Sequence, residues 1–517
     1  MKRIKTEHKL LAVIVFCSVA ISALAACSLN TSPQDTKTSE TLGSETAGIT
    51  EAFSEKDIEI SYDESEAQTI TLNCSSASSG SSSVKITGSV ITIKEKGTYV
   101  ISGTLDDGYI TVDAGDSDDV RLIFRNASIT SSDYAALYCL NADNVCITLE
   151  DGTKNILANT GEFDSKDSNN VDGAVFAKTD ITINGSGSLE IISSDHGIVG
   201  KDDLTITGGN ITITSTSDGI QANDSVAVQG AVIDITCGKD GIQADNDKDL
   251  TKGYVYISSG TITIAAGDDG ITASSSLQID DGTIDITKSY EGLEGQNITI
   301  NGGKISINSS DDGINSVSAT SSGDMFQSDG TSTLIINGGE IYVRTEGDGV
   351  DSNGTFEMTG GTLTVMGPTS GANGSLDVNG SAVISGGTVI MAGASGMATN
   401  FTNASQGTML LNTGSQSQGT VIRVTDTSGN VILETTADSS YQTVLISSPD
   451  IVNGSSYTVT AGTYSEMITL TDNLYGSSGM GFGGFGGQGG MGGPGDWGDS
   501  GGFPGGMPDG GGRQKPG

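Results

Sequence analysis

Large aromatic side chains are scarce in this chain: Phe, Trp and Tyr make up 5% of its 517 residues, and Trp497 is the single tryptophan. A globular core normally draws on more of them. Basic residues are few as well, 24 Lys and Arg against 64 Asp and Glu, for a net charge of −40. That balance excludes nucleic acid as a partner, because phosphate recognition needs Lys and Arg. It also implies self-repulsion that cations would relieve. Two histidines and no Cys-x-x-Cys pair leave no zinc site of the usual kind. Beyond Cys27 the cysteines are Cys74, Cys139, Cys146 and Cys237. Cys237 follows Ile233 and Ile235 at period two and should face a core, whereas spacing alone leaves a Cys139–Cys146 pair open.

What the chain has instead is 75 glycines among Ile, Val, Thr, Ser and Asp, the composition of short strands joined by tight turns. Residues 1–26 read as a signal peptide: Lys2, Arg3, Lys5 and Lys9 precede an apolar run that ends at Leu24-Ala25-Ala26-Cys27. That ending resembles the bacterial lipobox, which implies cleavage before Cys27 and acylation of its thiol, and several acyl chains together hold firmly to a membrane. The expected location is the extracellular face of the cytoplasmic membrane, or cell surface. Residues 27–56, rich in Ser, Thr and Glu, read as a disordered tether. Residues 476–517 read as a Gly-rich disordered tail, without the repeated G-G-x-G-x-D of a calcium-binding roll.

Between tether and tail lies a repeat. Leu204–Thr214, Leu277–Thr287 and Ile298–Asn308 share one pattern, and each is followed by Asp-Gly-Ile or Glu-Gly-Leu. The glycine of that third segment recurs at Gly197, Gly219, Gly241, Gly270, Gly292, Gly313 and Gly349. Most steps are close to 22 residues, and two are lengthened by insertions near 245–252 and 317–331. Such a period marks a solenoid. Apolar alternation (Leu277, Ile279; Ile284, Ile286) gives two strands per coil, and Ile220, Ile242, Ile271, Leu293, Ile314 and Val350 give a buried column in the third. Gly-Gly turns such as Gly302-Gly303 permit positive φ at the bends. The expectation is an all-β chain: a right-handed parallel β-helix over 57–400, with a C-terminal β cap over 401–475 because open solenoid ends expose strand edges.

Two constellations could carry chemistry. Asp218, Asp240, Asp269, Glu291, Asp312 and Asp348 take the same place in successive coils, with Asp268 and Asp311 beside them and Asp245 in an acidic insertion. Carboxylates stacked one coil apart repel by roughly 3–4 kcal/mol per pair at an effective dielectric near 20. Calcium, which takes several oxygen ligands in flexible geometry, would screen them, although Asp-Gly is also ordinary turn chemistry. Two residues after each buried aliphatic's preceding glycine runs an outward polar series, Gln221, Gln243, Thr272, Glu294, Asn315 and Asp351, suited to hydrogen-bonding sugar hydroxyls. Tyr254, Tyr256, Tyr290 and Tyr342 face outward by alternation and could stack on sugar rings.

Asp268-Asp269-Gly270 and Asp195-His196-Gly197 are similar to two polygalacturonase motifs. The accompanying Asn-Thr-Asp is missing, and Arg-Ile-Lys occurs only inside the export signal at Arg3-Ile4-Lys5. Lys239, Lys288 and Arg344 are the basic residues near the acidic series, and none sits in a catalytic motif. At Ser289-Tyr290-Glu291-Gly292-Leu293-Glu294-Gly295, with the flanking Asp-Asp-Gly-Ile and Ile-Asn-Gly-Gly turns, the chain resembles bacterial carbohydrate-binding-domain-containing proteins of the cellulose- and pectate-binding β-helix type, over about residues 57–465. The resemblance implies a calcium-containing parallel β-helix that binds plant polysaccharide, with Asp240, Asp269, Glu291 and Asp312 as the matching acidic positions. The expected function is therefore a surface-anchored, monomeric, non-catalytic polysaccharide-binding protein. A calcium-dependent pectate lyase and a structural adhesin or spacer are the alternatives.

Overall fold

The alternation of Ile, Val and Leu with Thr, Ser and Asp produces strands throughout. A computed structural model describes residue 49 and residues 52–166, 168–246, 248–318 and 328–476. The signal peptide with Cys27, most of the tether, Asp247, most of the 317–331 insertion with its Met325, and the Gly-rich tail lie outside the described residues. Among the described residues the chain is nearly all β, with one four-residue helix at Glu55–Ile58.

Most strands join one long sheet of mainly parallel pairs. From Lys154–Asn159 to Ile242–Ala244 each strand bonds to the strand three places before it and the strand three places after it, so three parallel ladders share each repeat, here called a rung. The first ladder runs through Asn144–Leu149, Asp180–Gly185, Asp203–Ile206 and Ser225–Val228. The second runs through Lys154–Asn159, Ser188–Ser193, Asn210–Ser215 and Val232–Thr236. The third runs through Leu137–Asn141, Gly173–Ala177, His196–Gly200, Ile220–Ala222 and Ile242–Ala244, and continues to Val350–Ser352. Parallel pairing places like residue over like residue. Ile198, Ile220, Ile242, Ile271, Leu293, Ile314 and Val350 are successive partners, each fully buried. They share one core with the inward residues of the other two ladders, such as Ile206 and Ile213. Cys237 joins that core, and Cys139 and Cys146 are buried as free thiols.

The two kinds of recurrent glycine answer different needs. In the Gly-Gly bends the second residue has positive φ, as at Gly303 (+86°), a conformation that costs other residues energy. The glycines that follow the acidic residues do not. A Cβ on Gly292 would lie 2.3 Å from the carbonyl oxygen of Gly313 in the next rung and 2.4 Å from Ile307 Cγ2. Close approach between rungs, rather than a left-handed turn, fixes these positions. Gly292→Ala should therefore cost about 1–3 kcal/mol of stability, the usual range for forcing extra volume into a packed site. A urea midpoint unchanged from the parent would refute that steric assignment.

The C-terminal end of the long sheet is covered. Tyr441–Ser448 pairs antiparallel with Thr388–Gly393, the last described second-ladder strand, and with Gly407–Gln416. Beyond it Val421–Asp426, Val431–Thr436, Ser456–Ala461 and Tyr464–Thr469 form a separate antiparallel sheet with its own apolar cluster. Along the side, residues 52–60 lie against the outer face of the first ladder, although 52–56 belong to the stretch expected as tether. Thr182 Oγ1 donates to Asp57 Oδ1 at 2.5 Å, and Asn184 Nδ2 donates to the carbonyls of Asp57 and Glu59 at 3.0 and 3.2 Å. The Phe53 ring stands 5.7 Å from that of Tyr256. Ile49 N–H reaches Gln278 Oε1 at 2.8 Å.

Candidate functional site

The third ladder sets an acidic column at the bend just before its strands. Because Ile220, Ile242, Ile271, Leu293, Ile314 and Val350 are in register, the residues two places earlier are stacked too: Asp218, Asp240, Asp269, Glu291, Asp312 and Asp348. Their carboxylates are part of the backbone bonding. Asp218 Oδ1 accepts the N–H of Asp240 at 3.1 Å, Asp240 Oδ1 that of Asp269 at 3.0 Å, Asp269 Oδ1 that of Glu291 at 3.0 Å, and Asp312 Oδ1 that of Asp348 at 2.7 Å. Ladder bonding thus gives Asp a local reason to recur here. Glu291 departs from it, since its Oε2 accepts instead from Asn315 Nδ2 at 2.9 Å.

One step before Asp218 the column holds His196, whose Nδ1 lies 3.0 Å from Asp218 Oδ2 and whose Nε2 lies 3.5 Å from Asp195 Oδ1. Burial works against the imidazolium, but the hydrogen bond to Asp218 and the charges of Asp218, Asp195 and Asp172 outweigh it and raise the histidine's pKa. The similarity of Asp195-His196-Gly197 to a hydrolase motif is thereby given a place: this histidine is the basic head of an acidic stack.

Beside the column runs a row of side chains from the third-ladder strands themselves. Val199, Gln221, Gln243, Thr272, Glu294, Asn315, Asp351 and Asp377 are successive partners. Row and column meet in two sets of three acids: Asp269, Glu291 and Glu294, and Asp312, Asp348 and Asp351. Within each set one carboxylate oxygen per residue lies within 4.8 Å of the others, near enough to share a metal ion. Next to these acids two buried oxygens have no hydrogen-bond partner, Thr272 Oγ1 and Asn315 Oδ1. An unpaired buried oxygen costs free energy, and a carbonyl or hydroxyl oxygen is a ligand that hard cations accept. The residues present fit such an ion.

Six of the acids here resist ionisation. Burial, reinforced by neighbouring carboxylates, pushes Asp240 up to about 7, Asp269 to about 8 and Glu291 to about 10. Burial likewise lifts Asp312 to about 6, Asp348 to about 7 and Asp351 to about 8.

Not every residue expected from sequence comes to this place. Gln243, Thr272, Glu294, Asn315 and Asp351 stand together in the row, but Tyr290 lies in the bend beside Glu291, where its N–H bonds to the Asp268 carbonyl and its own carbonyl accepts from Asp311 N–H. Asp268 and Asp311 flank the column without joining either acidic set. Asp245 follows the far end of Ile242–Ala244, with its N–H on the Ala222 carbonyl. Of the outward tyrosines, Tyr256 is buried beneath Phe53 and donates to Asp280 Oδ2, and Tyr342 bonds Asp438 and packs on the C-terminal cluster. Lys239, Lys288 and Arg344 are exposed.

A third acidic set, Asp180, Asp202 and Asp203 at the edge of the first ladder, was not singled out by sequence. Its signal was present in the Asp that opens successive first-ladder strands, Asp180 and Asp203. Here Lys252 pairs with Asp224, and Asn246 Nδ2 donates to Asp224 Oδ1 at 2.9 Å. Burial and a hydrogen bond with Asp224 raise Asp202 to about 7.

The carbohydrate-binding domain-containing protein family matches residues 87–333. A carbohydrate-binding domain-containing protein of Acetivibrio thermocellus is 36% identical over 124 residues, 23% of this chain and 43% of that protein, so the match spans less than half of the relative. A solved structure of the polysaccharide lyase-like protein from C. thermocellum, a gadolinium derivative, shares 31% sequence identity at a TM-score of 0.39, covering 46% of this chain and 92% of that one.

Proposed function

We propose that this chain is a surface-anchored, non-catalytic polysaccharide-binding protein whose affinity depends on calcium, and that its ladders wind as a right-handed parallel β-helix. The observation that carries the reading is the meeting of row and column: six acids in two sets, bordered by amides and by buried oxygens that lack partners. Similarity to the carbohydrate-binding domain-containing family supports a glycan ligand. Calcium is the cation argued for because the available ligands are all oxygens, several per set, in a surround of high negative charge. Bound there, it would supply positive charge and open coordination positions for a ligand's hydroxyl or carboxylate oxygens. The row's amides, Gln221 and Gln243, would orient a sugar by hydrogen bonds. The lipobox at Leu24–Cys27 supports attachment of a monomer to the outer face of the cytoplasmic membrane by its lipid.

The test is a binding isotherm on polygalacturonate and on cellulose, with calcium and with chelator, alongside absorbance of unsaturated products. Retention of polygalacturonate by the calcium-loaded protein, lost on chelation and without product, is expected. Chelator-indifferent binding would overturn the calcium requirement. Product that forms with calcium would replace the binding protein with a lyase.

A further inference from the structure

Where residues 52–57 cross the outer face of the first ladder they leave a cavity of about 720 Å³ beneath them. Its floor is formed by the opening residues of successive strands, Asn144, Asp180, Asp203, Ser225 and Tyr254, which parallel pairing sets in line. Phe53, Ser54 and Lys56 close it from above, and Asp143 lies at its edge.

The floor is acidic, and nothing around it supplies the matching charge. Lys56 is the basic residue of the lining, and its Nζ is committed to Asp119 at 2.9 Å and Asp143 at 3.4 Å. Lys252 pairs with Asp224, and neither Asp180 nor Asp203 has an ion pair among the described residues. Burial, with the charges of Asp203, Asp143 and Asp224 behind it, raises the pKa of Asp180. The neutral donors are spent as well. Asn144 Nδ2 donates to Thr182 Oγ1 at 3.4 Å, Thr182 Oγ1 to Asp57 Oδ1 at 2.5 Å, Ser54 Oγ to Asp57 Oδ2 at 2.7 Å and Ser225 Oγ to Asp203 Oδ1 at 2.6 Å.

What remains is oxygen without a partner. Asn144 Oδ1 is buried and accepts nothing. Thr205, 8% exposed, lines the cavity and makes no side-chain hydrogen bond among the described residues. Buried polar atoms in native folds are nearly always satisfied, so both point to an occupant. That occupant must donate, since ionised carboxylates only accept. A positive charge answers the acids, and hydroxyls answer the neutral oxygens. The volume is that of a small-molecule site rather than of a lone ion. Phe53, Tyr254 and Ile181 add apolar wall, on which a sugar ring can lay its C–H face.

We propose that this cavity binds an amino sugar in its ammonium form. The ammonium sits among Asp180, Asp203 and Asn144 Oδ1, and the hydroxyls reach Thr205 and the remaining carboxylate oxygens. The site goes beyond the polysaccharide reading: it belongs to another ladder, needs no metal, and stands whether or not the third ladder takes a glycan.

Calorimetry on the full chain tests it, with glucosamine, N-acetylglucosamine and butylamine as probes. Chelator in every cell keeps calcium-dependent binding at the third ladder out of the measurement. One glucosamine should bind. N-acetylglucosamine, which has hydroxyls without the charge, and butylamine, which has the charge without hydroxyls, should each bind at least about tenfold more weakly. D180N/D203N keeps the oxygens that accept the Asp203 N–H and the Ser225 hydroxyl, so it should retain the parent's circular dichroism and lose about a hundredfold in glucosamine affinity. Thr205→Val, equal in shape and charge, should lose about fivefold. No glucosamine bound by the parent, or either control bound as tightly, would overturn the proposal. So would parental affinity in D180N/D203N or in Thr205→Val. Calcium that titrates a site lost in D180N/D203N, in a parent indifferent to glucosamine, would make the cavity a metal site instead.

Discussion

Stripped of divalent cations, the protein should be several kcal/mol less stable at pH 9 than at pH 5, and calcium should abolish most of that difference. Six column and row acids have folded-state pKa values raised to between about 6 and about 10, by burial first and by one another's charge second. In the unfolded chain they would titrate near 4. The sign follows from proton counting. Between pH 4 and these raised values the folded state holds protons that the unfolded state has released, so stability falls as pH rises. It is fully present below about pH 4, declines as pH rises above that, and is gone for each group once pH has passed its folded value, between about 6 and about 10. A single group raised by about three units is worth about 4 kcal/mol. The six are not independent, since each is raised partly by the others' charge, but ionising the whole set bare costs the fold stability that retained protons or bound cations restore. Calcium that binds only the folded state adds about 2.7 kcal/mol at a hundredfold excess over its dissociation constant, and it displaces the retained protons. Two measurements check this: melting temperature against pH with and without chelator, and calorimetric calcium binding at pH 6.5 in buffers of different ionisation enthalpy. A chelated protein whose melting temperature is level from pH 5 to 9, together with no proton release, would show the acids to be ordinary surface carboxylates.

The repeat was legible because its two signals are local. Alternation at period two in Ile284 and Ile286, and the return of Asp-Gly-Ile at about 22 residues, need no knowledge of distant contacts. The same spacing put Asp218 through Asp348 into one column. What it concealed was why Asp and Gly recur. Read locally, Asp-Gly is a turn; in place, the aspartate accepts a neighbouring rung's N–H and the glycine makes room for that rung's carbonyl. The adjacency of Asp312 and Asp348 was hidden by the insertion between them, since they are one rung apart but 36 residues apart in sequence. The contacts of residues 49–60 were hidden for the same reason. Asp57 meets Thr182 across 125 residues and Ile49 meets Gln278 across 229, and no short-range pattern records such pairings. The outward tyrosines show the converse limit. Alternation gave the side of the sheet they occupy, but not that Phe53 covers Tyr256 and the C-terminal cluster packs against Tyr342.

Ile271→Asp should be the most damaging single change in the rungs around the acidic groups. Ile271 is fully buried between Ile242 and Leu293 in the third-ladder column. Removing its side chain forfeits about 2–5 kcal/mol of packing. The aspartate then adds a carboxylate with no cationic partner in the column, so it must either ionise in an apolar surround or fold only when protonated. It also lies two residues from Asp269, whose own carboxyl is already forced up by burial and by the charge of Asp240. In a repeat structure each rung is stabilised mainly by its neighbours, so a broken rung at position 271 severs the rungs that bear both acidic groups from those before them. The expected result is a loss of most or all cooperative unfolding signal at pH 7, with partial recovery near pH 4 as the new carboxyl is neutralised. Ile271→Val should cost only about 0.5–1.5 kcal/mol. Val232→Asp, at an outward second-ladder position that is 47% exposed, should change stability by less than about 0.5 kcal/mol. Thermal melts of the three variants, read by circular dichroism, decide the matter. An Ile271→Asp protein that melts with the parent, or a Val232→Asp protein that fails as badly, would mean that the column faces outward and that the register placing Asp269, Glu291 and Glu294 together is wrong.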